Sequence, residues 1–323
     1  MARERILVSL AIETTRRTIF SAFTNLKNDE ITTKTNYYAF LVKFLHEVTK
    51  LSDIINYAAD ELNKMIPLLI KEIKSKDYGE LDYSKYIYPL CRGIEALGIL
   101  KKVQYNATLK EGVNAIRDIL FSEYYYQIED IKQAIPMLQA LLGANLSLRN
   151  VAEYRKKFDE AIDRLEELRI EFDPNLKTIY GKDIYFSAKL YKKEDISNTD
   201  LAILRADLKS RILIRILKAV EYITAFKRDP PHNIVEFLIR ELPKFFNDIF
   251  RLVNGKFEYY STLVESIHNL LSNYNNKNFA NALFRTLIEE SDWIISEGDG
   301  VFDSIKLILG TSLLVASKSA VYR

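Results

Sequence analysis

Residues that interrupt helices are scarce in this chain, which carries ten glycines and seven prolines in 323 residues. A shortage of both breakers leaves little room for tight β-turns and argues for long helices. Cysteine is scarcer still. The single Cys91 excludes an intramolecular disulfide and a multi-cysteine zinc site, and it fits a reducing, cytoplasmic setting. Net charge is +2, so no global field draws in nucleic acid or an anionic membrane, and any such binding needs a local patch. Long apolar runs are missing as well. Leu307–Ser317 is uncharged for 11 residues, short of the roughly 18 that a membrane span needs. The opening MARERILVSLAIE sets Arg3 and Arg5 before an apolar run, but Glu13 closes that run and no small-residue cleavage site follows, so it reads as a first helix. Glutamine is rare while Ile, Lys, Glu and Tyr are common, a thermophile-like bias.

What is present favours helices. Apolar residues make up 48% and charged residues 28%, the balance of a soluble globular protein with one large helical domain or two smaller ones. The most apolar stretch, Leu201–Arg228, is the segment around which the rest is expected to pack. Leu208, Ile212, Ile216, Ala219, Ile223 and Phe226 recur at spacings of 4, 4, 3, 4 and 3, one stripe at the helical period. Leu213, Leu217 and Val220 widen the stripe until a single narrow polar strip remains, formed by Asp207, Arg211, Arg215, Lys218 and Glu221. One long buried helix is expected here. Ser197 with Asp200 has the capping-box pattern at its start, and Asp229-Pro230-Pro231 stops it.

Elsewhere the pattern predicts helices over 3–27, about 37–50, and from Ser52 to about Lys74, with Pro67 kinking or dividing the last. Ser75–Asp82 reads as a loop. Helices over 110–126 and 129–142 are followed by a break at Gly143–Ser147. Over 147–172, Leu148, Val151, Tyr154, Phe158, Ile162, Leu165, Leu168 and Phe172 form one apolar stripe. Glu153–Lys157 and Glu160–Arg164 are pairs in the favourable order, and Asp173-Pro174 ends the helix. Ile184, Phe186, Ala188 and Leu190 then alternate with polar or aromatic neighbours at the period of a strand, with Gly181-Lys182-Asp183 as a turn. Further helices are expected over 233–253, 257–273, 279–296 and 301–320. The fold class expected is mostly α, a bundle-like protein of about 10–12 helices with one small β-hairpin insertion near 176–191. Its divisions are an N-terminal helical half 1–174, a hairpin or linker 175–196, and a C-terminal helical half 197–323.

One segment carries a resemblance. Leu97-Gly98-Ile99-Leu100 gives a helix-ending turn, and Thr108-Leu109-Lys110-Glu111-Gly112 follows at the start of the next helix. Residues 83–112 thereby resemble a winged-helix module. The resemblance implies a short strand between the two motifs and binding to DNA or to a partner protein.

Catalytic chemistry finds little to build on. Glu265 and His268 have the Glu-x-x-His spacing of di-iron helices, but neither His46 nor His232 supplies a second copy. No histidine lies near Cys91 in sequence, no phosphate-cradling glycine loop is present, and the acids from Glu289 to Asp303 lack calcium-loop spacing. No cofactor, metal or catalytic residue is therefore expected. Basic groups are more suggestive. Arg211, Arg215 and Lys218, with Arg155, Lys156 and Lys157 and with Lys101 and Lys102, are the candidate nucleic-acid contacts. The 20 tyrosines, with the pairs Tyr37–Tyr38 and Tyr259–Tyr260, supply potential stacking surfaces. The function expected is a non-catalytic helical binding or scaffold subunit of an intracellular prokaryotic complex, contacting proteins and in its most concrete form nucleic acid, as in a defence or RNA-guided assembly. The alternatives are an enzyme with a carboxylate-lined pocket between helices and a membrane-surface protein using the C-terminal helix.

Overall fold

The computed structural model describes residues 30–46 and 49–251, with single positions at 9, 12, 13, 16 and 19 and at 266, 267, 269, 270, 278 and 279. The chain forms two compact units, one of residues 25–194 and one of residues 195–323 with 1–24. Ten α-helices and no strand occur among the described residues. No helix among them is long and apolar enough to cross a membrane.

In the 25–194 unit the helices are α1 (Ile31–Leu45), α2 (Ser52–Lys74), α3 (Tyr88–Ile99), α4 (Asn106–Leu120), α5 (Ala134–Leu148), α6 (Ala152–Phe172) and α7 (Ile179–Lys192). The central element is α3, which packs on α1, α2, α4 and α5. Leu90, Cys91, Ile94, Ala96 and Leu97 are all fully buried, so its apolar side chains point outward in several directions and meet a helix in each. Leu62, Ile66 and Leu69 of α2 are as fully buried, each worth about 1.5–3 kcal/mol of transfer from water. Two glycines set the closeness of the α3–α5 crossing. A Cβ on Gly98 would lie 2.2 Å from the carbonyl oxygen of Gly143, and one on Gly143 would lie 2.9 Å from the Cα of Glu95. Only hydrogen side chains permit that approach.

Several expected boundaries move. The first helix of the unit spans Ile31–Leu45, beginning before the start expected near residue 37. Helix α2 runs uninterrupted through Pro67. Helix α5 continues through Gly143–Ser147, where a break was expected, because Gly143 serves helix contact rather than a turn. Residues 83–112 hold no strand: a five-residue π-helical turn, Tyr83–Ile87, leads into α3, and a 3₁₀ turn, Val103–Tyr105, joins α3 to α4. The implied winged-helix strand is thus absent from this segment.

The expected β-hairpin near 176–191 is replaced by α7. The reason lies in Asp173, at the end of α6. Its carboxylate accepts the Lys177 N–H at 2.8 Å, the Thr178 N–H at 2.8 Å and the Thr178 hydroxyl at 2.7 Å. Thr178, so fixed, is the N-cap of α7, its hydroxyl oxygen accepting the Gly181 N–H at 2.9 Å. A Cβ at Gly181 would stand 2.3 Å from the Asp173 carboxylate, so glycine here admits the carboxylate and does not make a turn. Ile184 and Ala188 lie on one side of the helix and Phe186 on the opposite side, yet each is 0% exposed. A helix covered on two faces mimics the alternation of a strand.

The second unit contains α8 (Asn198–Leu208), α9 (Leu213–Ala225) and α10 (His232–Arg251). The expected single helix over Leu201–Arg228 is therefore two, broken over 209–212. The Ser210 hydroxyl accepts the Ile212 N–H at the break, and Ile212 is 49% exposed instead of core. The capping box at its start is present in full: Ser197 accepts from the Asp200 N–H at 3.1 Å, and Asp200 accepts from the Ser197 N–H at 2.8 Å. At the chain start Ser9, Ile12, Glu13, Arg16 and Ile19 are helical, with Ile12 and Ile19 buried. The rest of 3–27 and the helices expected over 257–273, 279–296 and 301–320 fall mainly or wholly outside the described residues.

Candidate functional site

The eight basic candidates divide between the units. In the second unit Arg215 lies 3.8 Å from the buried Asp207, and Lys218 lies 3.2 Å from Glu221. Glu221 in turn accepts from Asn269 at 2.7 Å. Arg211 is exposed at the helix break. In the 25–194 unit Lys102 donates to Asn56 at 2.6 Å. Lys157 donates to Asn114 at 3.0 Å, lies 3.3 Å from Glu153, and sits over the Tyr154 ring. Lys156 is 84% exposed with Glu160 at 3.7 Å, while Arg155 and Lys101 are exposed. Most of this charge is answered by side chains of the fold.

Other sequence candidates sort quickly. Tyr38 is buried beside Tyr57, and Tyr259–Tyr260 lies outside the described residues, as do Glu265 and His268. No group of three or more His, Cys, Asp or Glu able to hold a metal occurs among the described residues. Cys91 is fully buried, and burial pushes its thiol well above the ordinary range.

A polar network does occupy the core. Glu95 of α3 is buried and receives Lys43 of α1 at 3.0 Å and Arg92 at 3.2 Å. Arg92 also donates to Tyr88 and to Gln139 of α5, each at 3.2 Å. These bonds tie α1, α3 and α5 together around one carboxylate. Removing one member of such a buried network would leave the others with uncompensated charge.

The most exposed ring cluster lies where α4 ends. Phe121 is 54% exposed and Tyr126 77% exposed, whereas Tyr124 and Tyr125 between them are buried. The 3₁₀ turn Glu123–Gln127 makes this division, capped by the Ser122 hydroxyl, which accepts the Tyr124 N–H at 3.2 Å. Arg164 of α6 stands behind the rings. Its guanidinium carbon is 3.8 Å from the Tyr125 ring centre, 5.6 Å from Tyr126 and 6.0 Å from Phe121. It donates to Glu167 at 2.6 Å and to the Tyr126 hydroxyl at 3.2 Å. Burial pushes the Tyr125 hydroxyl up to about 12, with Arg164 opposing and Glu167 and Glu171 adding to the rise. Arg117 lies over Phe121 and makes two bonds to one oxygen of Glu160, at 2.6 and 3.0 Å. Those bonds, against a smaller opposing effect of burial, hold the Glu160 carboxyl below its usual range. The expected Glu160–Arg164 pair is thus replaced by two others, Glu160 with Arg117 and Arg164 with Glu167.

This corner has the chemistry of a contact surface: large rings held rigid by an arginine and presented to solvent. The signal in the sequence was the Tyr124-Tyr125-Tyr126 run, but periodicity does not say which ring faces out. Compared with protein-family models, with curated proteins and with solved structures, the chain matches none.

Proposed function

We propose that the chain is a non-catalytic helical binding or scaffold subunit of a larger cytoplasmic complex, with the Phe121–Tyr126 corner as its contact surface. The observation that carries this reading is the joint exposure of Phe121 and Tyr126 beside a saturated arginine. Aromatic rings that the fold already fixes lose little conformational entropy on binding, and such rings supply much of the binding energy of protein interfaces. Protein is favoured over nucleic acid as the partner, because Lys102, Lys157, Arg215 and Lys218 are engaged within the fold. Arg155, Lys156, Lys101 and Arg211 remain the positions at which a phosphate backbone would be met.

The test is co-purification of the tagged full chain from its own cells, as wild type and as Phe121→Ala/Tyr126→Ala, with partners quantified by mass spectrometry. A near-stoichiometric partner with the wild type that is lost with the double variant is expected. A parallel titration with single- and double-stranded oligonucleotides at about 50 and about 200 mM salt reads the nucleic-acid arm. A chain that purifies alone and ignores both oligonucleotides would end the binding reading.

A further inference from the structure

The corner has a sign of charge as well as a shape. From Phe121 to Ile131 there is no lysine or arginine, while Glu123, Glu129 and Asp130 are all exposed; Lys132, which follows, is half-buried, has a partner of its own and donates its N–H to the Asp130 carboxylate at 2.9 Å. Glu167 of α6, 61% exposed, is spent on Arg164, which also reaches the Tyr126 hydroxyl. The two arginines at the corner are already committed. Arg117 is bound twice by Glu160, and Arg164, 21% exposed, is bound by Glu167 and covered by three rings. What faces solvent is therefore aromatic and anionic. The π face of a ring and a neighbouring carboxylate attract the same thing, a cation on a flexible stem. A phosphate backbone meets the opposite condition here, with carboxylates in its path.

From this we infer that the corner docks a basic segment of a partner protein, one that lays arginine or lysine side chains over Phe121 and Tyr126 with their charges among Glu123, Glu129 and Asp130. The inference rests on the binding reading above and names the class of partner. Arginine suits the site better than lysine, since its planar head stacks on a ring and still donates to a carboxylate at its edge.

Fluorescence anisotropy with the full chain tests it. The probes are a labelled peptide of alternating arginine and alanine, its lysine and glutamate counterparts, and a single-stranded thymidine oligonucleotide. Affinity is expected in the order arginine, lysine, then glutamate, with arginine over glutamate by at least about tenfold, the size of one or two cation–π and ion-pair contacts. Phe121→Ala/Tyr126→Ala is expected to weaken the arginine peptide by about tenfold, and Glu123→Gln/Glu129→Gln/Asp130→Asn to flatten its salt dependence. All five positions are exposed, and unchanged circular dichroism confirms folding of each variant. Equal binding of the arginine and glutamate peptides, an arginine peptide indifferent to loss of the rings, or preference for the oligonucleotide would overturn the inference. If the wild-type chain still captures a partner that Phe121→Ala/Tyr126→Ala loses, such a result removes only the basic-partner assignment and leaves the corner as a contact surface.

Discussion

Gly98 of α3 and Gly143 of α5 touch backbone to backbone, with 2.2 Å between an added Gly98 Cβ and the Gly143 carbonyl oxygen. The obstacle is main chain, which has no rotamer to escape into. Gly98→Ala is expected to cost about 3 kcal/mol by forcing the two helices apart. Gly79→Ala is the control. Its Cβ would meet only the tip of the Gln127 side chain at 3.4 Å, an ordinary contact, and the expected cost is under about 1 kcal/mol. Urea midpoints of the two variants compare them directly.

Glu95 answers two cations at once. Glu95→Ala leaves Lys43 and Arg92 without their shared carboxylate in a site where all three side chains are largely buried. A loss of about 3–5 kcal/mol is expected, with Glu95→Gln losing less because it keeps an acceptor in place. Denaturant unfolding provides the measure, and equal losses for the two variants would count against the ionic role.

Asp173 gives the fold a pH dependence. Burial alone would raise its carboxyl, but bonds from Lys177 and Thr178, with Arg169 nearby, outweigh burial and hold it below the usual range. Its folded value is thus below the unfolded value of about 3.9, so its contribution is fully present above about pH 4 and is lost as pH falls through the folded value. Asp173→Asn is expected to destabilise by about 2 kcal/mol at neutral pH. The gap to wild type should close as the pH is taken below about 4, read from urea midpoints at several pH values.

Cys91 is fully buried, and burial raises its thiol with Glu95 adding and Arg92 opposing. The native protein is expected to show no reaction with a thiol-specific disulfide reagent near pH 8. One equivalent should react once denaturant is added.

The elements differed in how openly the sequence declared them. Helix α6 was legible because one stripe, from Tyr154 through Phe158, Ile162 and Leu165 to Leu168, is buried while its other faces are charged. Its C-terminal stop at Asp173 was legible too, as was the Ser197 capping box. Helix α7 was misread because Ile184 and Phe186 are buried on opposite faces, which erases the helical period. The unbroken spacing through Ile212 likewise concealed the break between α8 and α9, which depends on a local bond from the Ile212 N–H to Ser210. Of the site, the basic residues were visible but their partners were not. Lys157 with Asn114 and Lys102 with Asn56 are contacts across 43 and 46 residues of chain, beyond any local pattern. The outward turn of Tyr126 required the 3₁₀ geometry.

The chain passes between the two units twice, after residue 24 and again at the dipeptide Glu194-Asp195. Just before it, α7 ends at Lys193 in a left-handed cap, and Glu194 reaches back to Lys189 at 3.8 Å. Just after it, Asp195 reaches forward to Arg228 at 3.1 Å, and the Ser197 box opens α8. Each flank is thus stitched to its own side. A protease nick or an inserted sequence at this second crossing would spare the caps of both neighbouring helices, which makes it a natural place for an inserted tag.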